Sequence, residues 1–263
     1  MSTQENNINP TGHISHEGKQ SWENLAISLD INSERYKAFL QNNEHLNIKA
    51  FKAVKGNDLS KSEIINQGIA TKELLESGYT TKGLLGNAAS HKSIWRKSDE
   101  EEKHFLVMED DCYTHPQIGT FISNNFKALE DSDICLFGIN TNSILQSIST
   151  EGLSSVSTFD PQHPDKHWIK SSFAKTSINE VQLHKLLKTF GTCAYFISPN
   201  GARTLLKSGI LPLSLKTTSI PLITNQMPAI SIDRSGCLVY PSINALVCRP
   251  FLAYTPNTDS STA

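Results

Sequence analysis

Apolar positions along this chain come in short blocks, and between the blocks apolar residues recur every three or four positions. LAISLDI (25–31) predicts a first buried strand. Ser33 then suits the N-cap of a helix over ERYKAFLQNN, with Tyr36, Phe39 and Leu40 on one face. IKAFKAV predicts a second strand, ended by Gly56, and KSEIINQGI and TKELLESG predict short helices, the second stopped by Gly78. GNAASHKSIWRKSDEEE predicts a helix with small residues at its start and a charged end. HFLVM, DICLFGIN (133–140) and CAYFIS (193–198) predict three more strands, and Ser198 and Pro199 open a helix over NGARTLLKSG that Gly209 closes.

Near-continuous apolar strands alternating with helices predict an α/β fold with a mostly parallel central sheet. Ligands of such sheets gather outside the carboxyl ends of the strands. Residues 141–185, rich in Ser, Thr, Pro and His, break the pattern and predict an acceptor-side loop or insertion. The expected organisation is a mobile polar tail over 1–20, a single domain over 21–255 and a polar tail over 256–263.

Charge narrows the partners. The 263 residues carry 24 Lys+Arg against 26 Asp+Glu, a net charge of −2, which gives no electrostatic reason for a nucleic acid or an anionic membrane as main partner. No apolar run is long enough to span a bilayer, so at most peripheral membrane contact is expected. The polar N-terminus lacks an apolar signal core, and the five scattered cysteines read as reduced core thiols. Both point to a cytoplasmic protein.

The chemistry concentrates in FLVMEDDC (105–112), where an apolar strand runs directly into Glu109, Asp110 and Asp111. Three adjacent carboxylates beside a core repel one another and lose hydration, so a compensating cation is expected, against the plainer alternative of a solvated acidic turn. In an extended chain Glu109 and Asp111 share one face and Asp110 takes the other. One acid then suits a hard divalent metal shared with substrate phosphates, and another a hydroxyl of a nucleotide sugar. The sequence lacks GxGxxG after the first strand, GxxxxGK[ST] and GxSxG, which disfavours a Rossmann dehydrogenase, a P-loop enzyme and an α/β-hydrolase.

In their order and spacing, LAISLDINSERYKAF, FKAVKG, GLLGNAASHKSIW, FLVMEDDC, DICLFG and CAYFISPNGARTLL resemble glycosyltransferase family 25, which includes bacterial lipopolysaccharide galactosyltransferases and collagen galactosyltransferases. The resemblance runs from about residue 25 to 206. It implies a GT-A-like fold, a UDP-sugar donor (often UDP-galactose), Mn²⁺ or Mg²⁺, inversion at the transferred hexose, and a glycan or lipid-linked glycan acceptor of surface-polysaccharide or lipooligosaccharide synthesis. A protein or peptide acceptor, a degenerate nucleotide- or glycan-binding module without turnover, and metal-dependent phosphoryl or nucleotidyl transfer are the alternatives.

Carried onto this sequence, the acidic triplet matches the family's DxD-like motif. Asp111, with Glu109, is implied at the metal, and Glu109 and Asp110 at the nucleotide. Ser28, Asp30 and Arg35 match the first-strand segment bordering the donor, Gly56 a glycine after the second strand, and Gly86, Ser90 and His91 the block leading into the helix. Arg249, in the closing segment, is implied near the diphosphate. Two departures stand out: Asn87 replaces the usual cysteine, and Lys55 replaces the usual acid. A third is the family's acid after the last helix, which Pro221 and Leu222 do not supply. Asp233 is the carboxylate expected to act as catalytic base, with Asp160, Asp165, His163 and His167 as substitutes. Trp168 suits stacking on an acceptor sugar.

Overall fold

The computed structural model describes residues 21–222 and 226–256; the expected terminal tails, apart from Pro256, lie outside them. In chain order the elements begin β1 (Trp22–Ser28), α1 (Glu34–Asn42), β2 (Ile48–Lys52), α2 (Lys61–Asn66), α3 (Lys72–Ser77) and α4 (Lys82–Glu101). Then come β3 (His104–Glu109), β4 (Tyr113–Thr114), α5 (Ile118–Asn124), α6 (Phe126–Glu130) and β5 (Ile134–Gly138). The next stretch holds β6 (Ile144–Ile148), β7 (Ser154–Thr158), α7 (Lys166–Lys175), β8 (Gln182–Thr189), β9 (Ala194–Ile197) and α8 (Pro199–Lys207). β10 (Thr217–Thr218), β11 (Met227–Pro228), α9 (Ile232–Val239), β12 (Ala245–Arg249) and β13 (Ala253–Tyr254) close the chain.

Nine strands form one sheet in the order β2-β1-β3-β9-β5-β12-β8-β6-β7. Alternation sorts the central strands onto two faces. Phe105, Val107, Leu136 and Tyr195 join a core with Ile94 and Trp95 of α4 and Leu205 of α8. Leu106, Met108, Phe137 and Phe196 join another with Phe39 of α1 and Phe121 of α5. Helices therefore cover both faces of an α/β sandwich, as the apolar runs predict.

The expected mostly parallel sheet is corrected to a mixed one. β1 pairs in parallel with β2 and β3, and β12 with β5, but β9 lies antiparallel between β3 and β5. β8 already runs antiparallel to β12, and after the short link from Thr189 to Ala194 β9 continues in the same direction, so it enters between β3 and β5 antiparallel to both. β1, β2, β3, β5 and β12 still point the same way, so their carboxyl ends share one edge of the sandwich.

Residues 141–185 also differ from expectation. They are largely regular structure: β6 and β7 pair antiparallel, and Asp165 caps α7 by accepting from the Trp168 amide at 2.8 Å. Their Ser- and Thr-rich composition suits an edge hairpin with one open face, which carries too little apolar periodicity to be read as a strand pair. Among the described residues all five cysteines are buried and free, and no helix is long and apolar enough to cross a membrane.

Candidate active site

A cavity of about 900 Å³ opens at the carboxyl ends of β1, β2 and β3. Of the residues singled out from sequence, Asp30, Arg35, Gly56, Gly86, Ser90, Glu109, Asp110, Asp111 and Asp233 line it. Ser28 and His91 are not among its lining residues; both are buried and act behind it.

β3 delivers the triplet and ends at Glu109, so Asp110 and Asp111 stand in a turn closed by the Cys112 amide donating to the Glu109 carbonyl at 3.0 Å. The strict alternation of an extended chain is lost there. Asp110 is held by two donors, Ser28 Oγ at 2.6 Å and Arg35 Nε at 2.7 Å, and Arg35 Nη2 also reaches Asp111 Oδ2 at 3.2 Å. One guanidinium on α1 thus answers two of the three charges, a partner that reading the triplet alone does not supply.

Glu109 accepts from Thr192 Oγ1 at 2.9 Å, and His91 Nε2 lies 3.7 Å from the same oxygen. That distance is too long for a hydrogen bond, and among the described residues His91 Nε2 has no hydrogen-bond partner. The other ring nitrogen meets the Tyr195 hydroxyl at 2.9 Å, which also accepts from Trp95 Nε1 at 3.2 Å. Burial works to raise the Glu109 carboxyl, but the His91 ring, the Thr192 hydroxyl and Arg35 outweigh it and hold the group below its ordinary value.

Asp111 goes the other way. Burial first, and then the Glu109 charge, push it up to about 6 against Arg35 and Thr255. Its Oδ1 is buried without a hydrogen-bond partner among the described residues. An orphaned carboxylate oxygen at a cavity wall suits a cation ligand. Among the described residues no group of three or more His, Cys, Asp or Glu side chains is placed to hold a metal. A hard cation there would have only the Asp111 and Glu109 carboxylates from the protein and would complete its coordination with water and a ligand's phosphates.

The opposite wall is built by close backbone packing. A Cβ at Gly56 would lie 1.7 Å from the Lys82 carbonyl oxygen, and one at Gly86 would lie 2.5 Å from the Val54 carbonyl. Ser90 Oγ accepts from the Val54 amide and donates to the Gly86 carbonyl, both at 2.8 Å, fastening the same contact. This brings Lys55 and Asn57 beside the first turn of α4, where Thr81, Lys82 and Gly83 also line the cavity. The 20-residue α4 points the positive end of its dipole there, with the Leu84 amide capped by Thr81 Oγ1 at 3.2 Å, an arrangement suited to an anion. Lys55 has no ion pair among the described residues. The sequence reading began this helix at Gly86; Thr81 as an N-cap ahead of it was the available signal.

Asp233, in the first turn of α9, accepts from the Gly191 amide at 3.0 Å, from the Arg234 amide at 2.8 Å and from Ser231 Oγ. Gly191 needs its left-handed backbone, at φ +91, and a Cβ there would strike Asn140. Gly191, Thr192, Asn140 and Thr255 are lining residues that the sequence reading missed, because no local pattern marks a connection that tertiary packing delivers to a site.

The substitutes for Asp233 lie elsewhere. Asp165 is a helix cap, and His163 and His167 are exposed and absent from the cavity wall. Asp160 and Arg249 line a separate cavity of about 310 Å³, which corrects the expected place of Arg249 beside a diphosphate.

Fold and cavity together define an α/β protein with a ligand-sized cleft, acidic on one wall and anion-receptive on the other. The model of glycosyltransferase family 25, described as an LPS biosynthesis protein, matches residues 22–210, and the chain belongs to that family. No curated protein matches the chain.

Proposed function

We propose that this protein is a metal-dependent glycosyltransferase of GT-A-like fold that moves a hexose, galactose by family resemblance, from a UDP-sugar to a hydroxyl of a glycan acceptor, with inversion. Family membership supports the transferase class and a role in lipopolysaccharide synthesis. One observation supports the finer reading: the orphaned Asp111 oxygen shares a cavity with Lys55 and the start of α4, groups suited to a cation and to a diphosphate.

Asp111 and Glu109 would hold Mn²⁺ or Mg²⁺, which when bound neutralises charge on a departing diphosphate. Lys55 and the α4 amides bind the diphosphate from the other side. Ser28 and Arg35 fix Asp110 for a hydroxyl of the nucleotide, and His91 and Thr192 orient Glu109. Asp233 is the carboxylate that accepts the acceptor hydroxyl's proton. The cytoplasm is the compartment in which a nucleotide-sugar donor and five reduced thiols agree.

The test is calorimetric titration of UDP into the purified chain with Mn²⁺ and then with EDTA. Binding with metal that is lost with EDTA is expected. Equal binding, or none, in both conditions overturns the donor-site reading.

A further inference from the structure

The smaller cavity has walls of a different kind. Four rings form a continuous series: Trp168 meets Tyr254 edge-on at 5.3 Å, Tyr254 meets Phe251 at 5.9 Å, and Phe251 meets Phe159 at 5.5 Å. All four line the cavity, and Trp168 is exposed. Arg249, half-buried at the end of β12, places its guanidinium over Phe159 at 5.3 Å and over Phe251 at 5.0 Å.

Two aromatic contacts satisfy the face of a guanidinium and leave its in-plane N–H donors unanswered. Among the described residues the Arg249 side chain has no hydrogen bond and no ion pair, only the two ring contacts. The exposed carboxylates of Asp160 and Glu180 stand at the same cavity, unpaired with it. A cation with free donors, acceptors beside it and a ring wall behind it are the parts that a sugar ring needs. The C–H face packs on an aromatic ring and the hydroxyl edge meets planar donors and acceptors. An apolar ligand would leave the guanidinium unmatched, and the Asp160 and Glu180 charges at the same cavity disfavour a carboxylate- or phosphate-bearing ligand over a neutral one.

Position completes the case. Asn140 and Thr255 line the large cavity, whereas their chain neighbours Thr141 and Tyr254 line the small one. Consecutive Cα atoms are about 3.8 Å apart, so the two cavities adjoin along these two residue pairs. The backbone leading into both segments is tightly packed, since a Cβ at Gly138 would lie 2.3 Å from the Ala253 carbonyl oxygen.

We infer that the Trp168–Arg249 cavity is a subsite for an uncharged pyranose of the acceptor glycan, next to the residue that receives the transferred sugar. Its role as an acceptor subsite rests on the glycosyl-transfer reading; its binding of a sugar does not. The subsite selects for neutral rings and gives the acceptor a second point of attachment outside the donor cavity.

Saturation-transfer NMR on the full chain tests this, with methyl glycosides of glucose, galactose and mannose, lactose, and N-acetylneuraminic acid as the charged control. UDP titration with Mg²⁺ runs in parallel. A neutral sugar is expected to bind the wild-type chain and to bind about tenfold more weakly after Trp168→Ala and after Arg249→Gln, with UDP affinity unchanged in both. Trp168 is exposed, so its variant tests the site without endangering the core. No binding by any neutral sugar, binding that survives both substitutions, or preference for N-acetylneuraminic acid each overturns the inference. A chain that binds neutral sugars through these residues but never UDP upholds the sugar site and removes the donor reading instead.

Discussion

Glu109 and Asp233, far apart in the chain, are held by consecutive residues: Thr192 Oγ1 donates to Glu109 Oε1 at 2.9 Å, and the Gly191 amide donates to Asp233 Oδ2 at 3.0 Å. The connection between β8 and β9 therefore sets the spacing between the carboxylate assigned to the metal and the carboxylate assigned to the acceptor proton. Because Glu109 N also donates to the Cys193 carbonyl at 2.9 Å, the link is anchored in the centre of the sheet. β8 and β9 run in the same direction, so this short link carries the chain past β12 and β5 without reversing it.

Asp233→Asn keeps the shape and the amide contacts but removes the base. Turnover should fall about 100-fold or more while UDP affinity stays at the wild-type value. Steady-state kinetics with calorimetry separates the two quantities, and unchanged turnover sends the search for a base elsewhere.

Asp111 carries a buried charge whose Oδ1 lacks a partner, so Asp111→Asn should leave thermal stability intact or raised. Metal-dependent UDP binding should weaken at least about tenfold. A variant that binds UDP with Mn²⁺ as tightly as wild type would remove the metal assignment.

Lys55 lines the cavity, so Lys55→Glu reverses the local field. UDP affinity should drop about tenfold at low ionic strength, and the gap should narrow as salt is added. Equal affinities at low salt would mean that Lys55 does not meet the diphosphate.

Gly56→Ala places a methyl group inside the van der Waals envelope of the Lys82 carbonyl, which belongs to a helix that cannot easily yield. A loss of about 2–3 kcal/mol and a fall in Tm of about 5 °C or more are expected. Differential scanning calorimetry reads this directly, and a Tm within error of wild type would show that the contact opens freely.

His104, packed on Phe126 at 5.1 Å and Phe196 at 5.9 Å, is held by burial below the ordinary histidine value, against the pull of Glu130 and Glu102. The unfolded chain takes up this proton more readily than the folded one. The stability concerned is present above the unfolded value of about 6.5 and is lost as pH falls through the folded one. The urea midpoint should decline from pH ~7.5 to ~5.5, and less steeply in His104→Phe. Equal declines would assign the effect to other groups, such as His45, which burial lowers likewise.

Much of this was legible in the chain itself. Alternating apolar residues specify which face of β3 or β5 enters which core, and Ser33, Thr71 and Ser198 cap the helices that their local sequence announces. The acidic triplet is conspicuous because like charges rarely follow a buried strand. Local chemistry suffices for such features, since each depends on neighbours within a few residues. Tertiary structure alone decided what answers the triplet: Arg35 on α1, Ser28 on β1, Thr192 before β9 and His91 on α4 meet at the edge of the sheet. It also decided that β9 runs antiparallel, that Arg249 leaves the acidic cavity for the aromatic one, and that residues 141–185 add strands to the sheet. Those outcomes depend on pairing order and connection length, long-range quantities that hydrophobic periodicity does not encode.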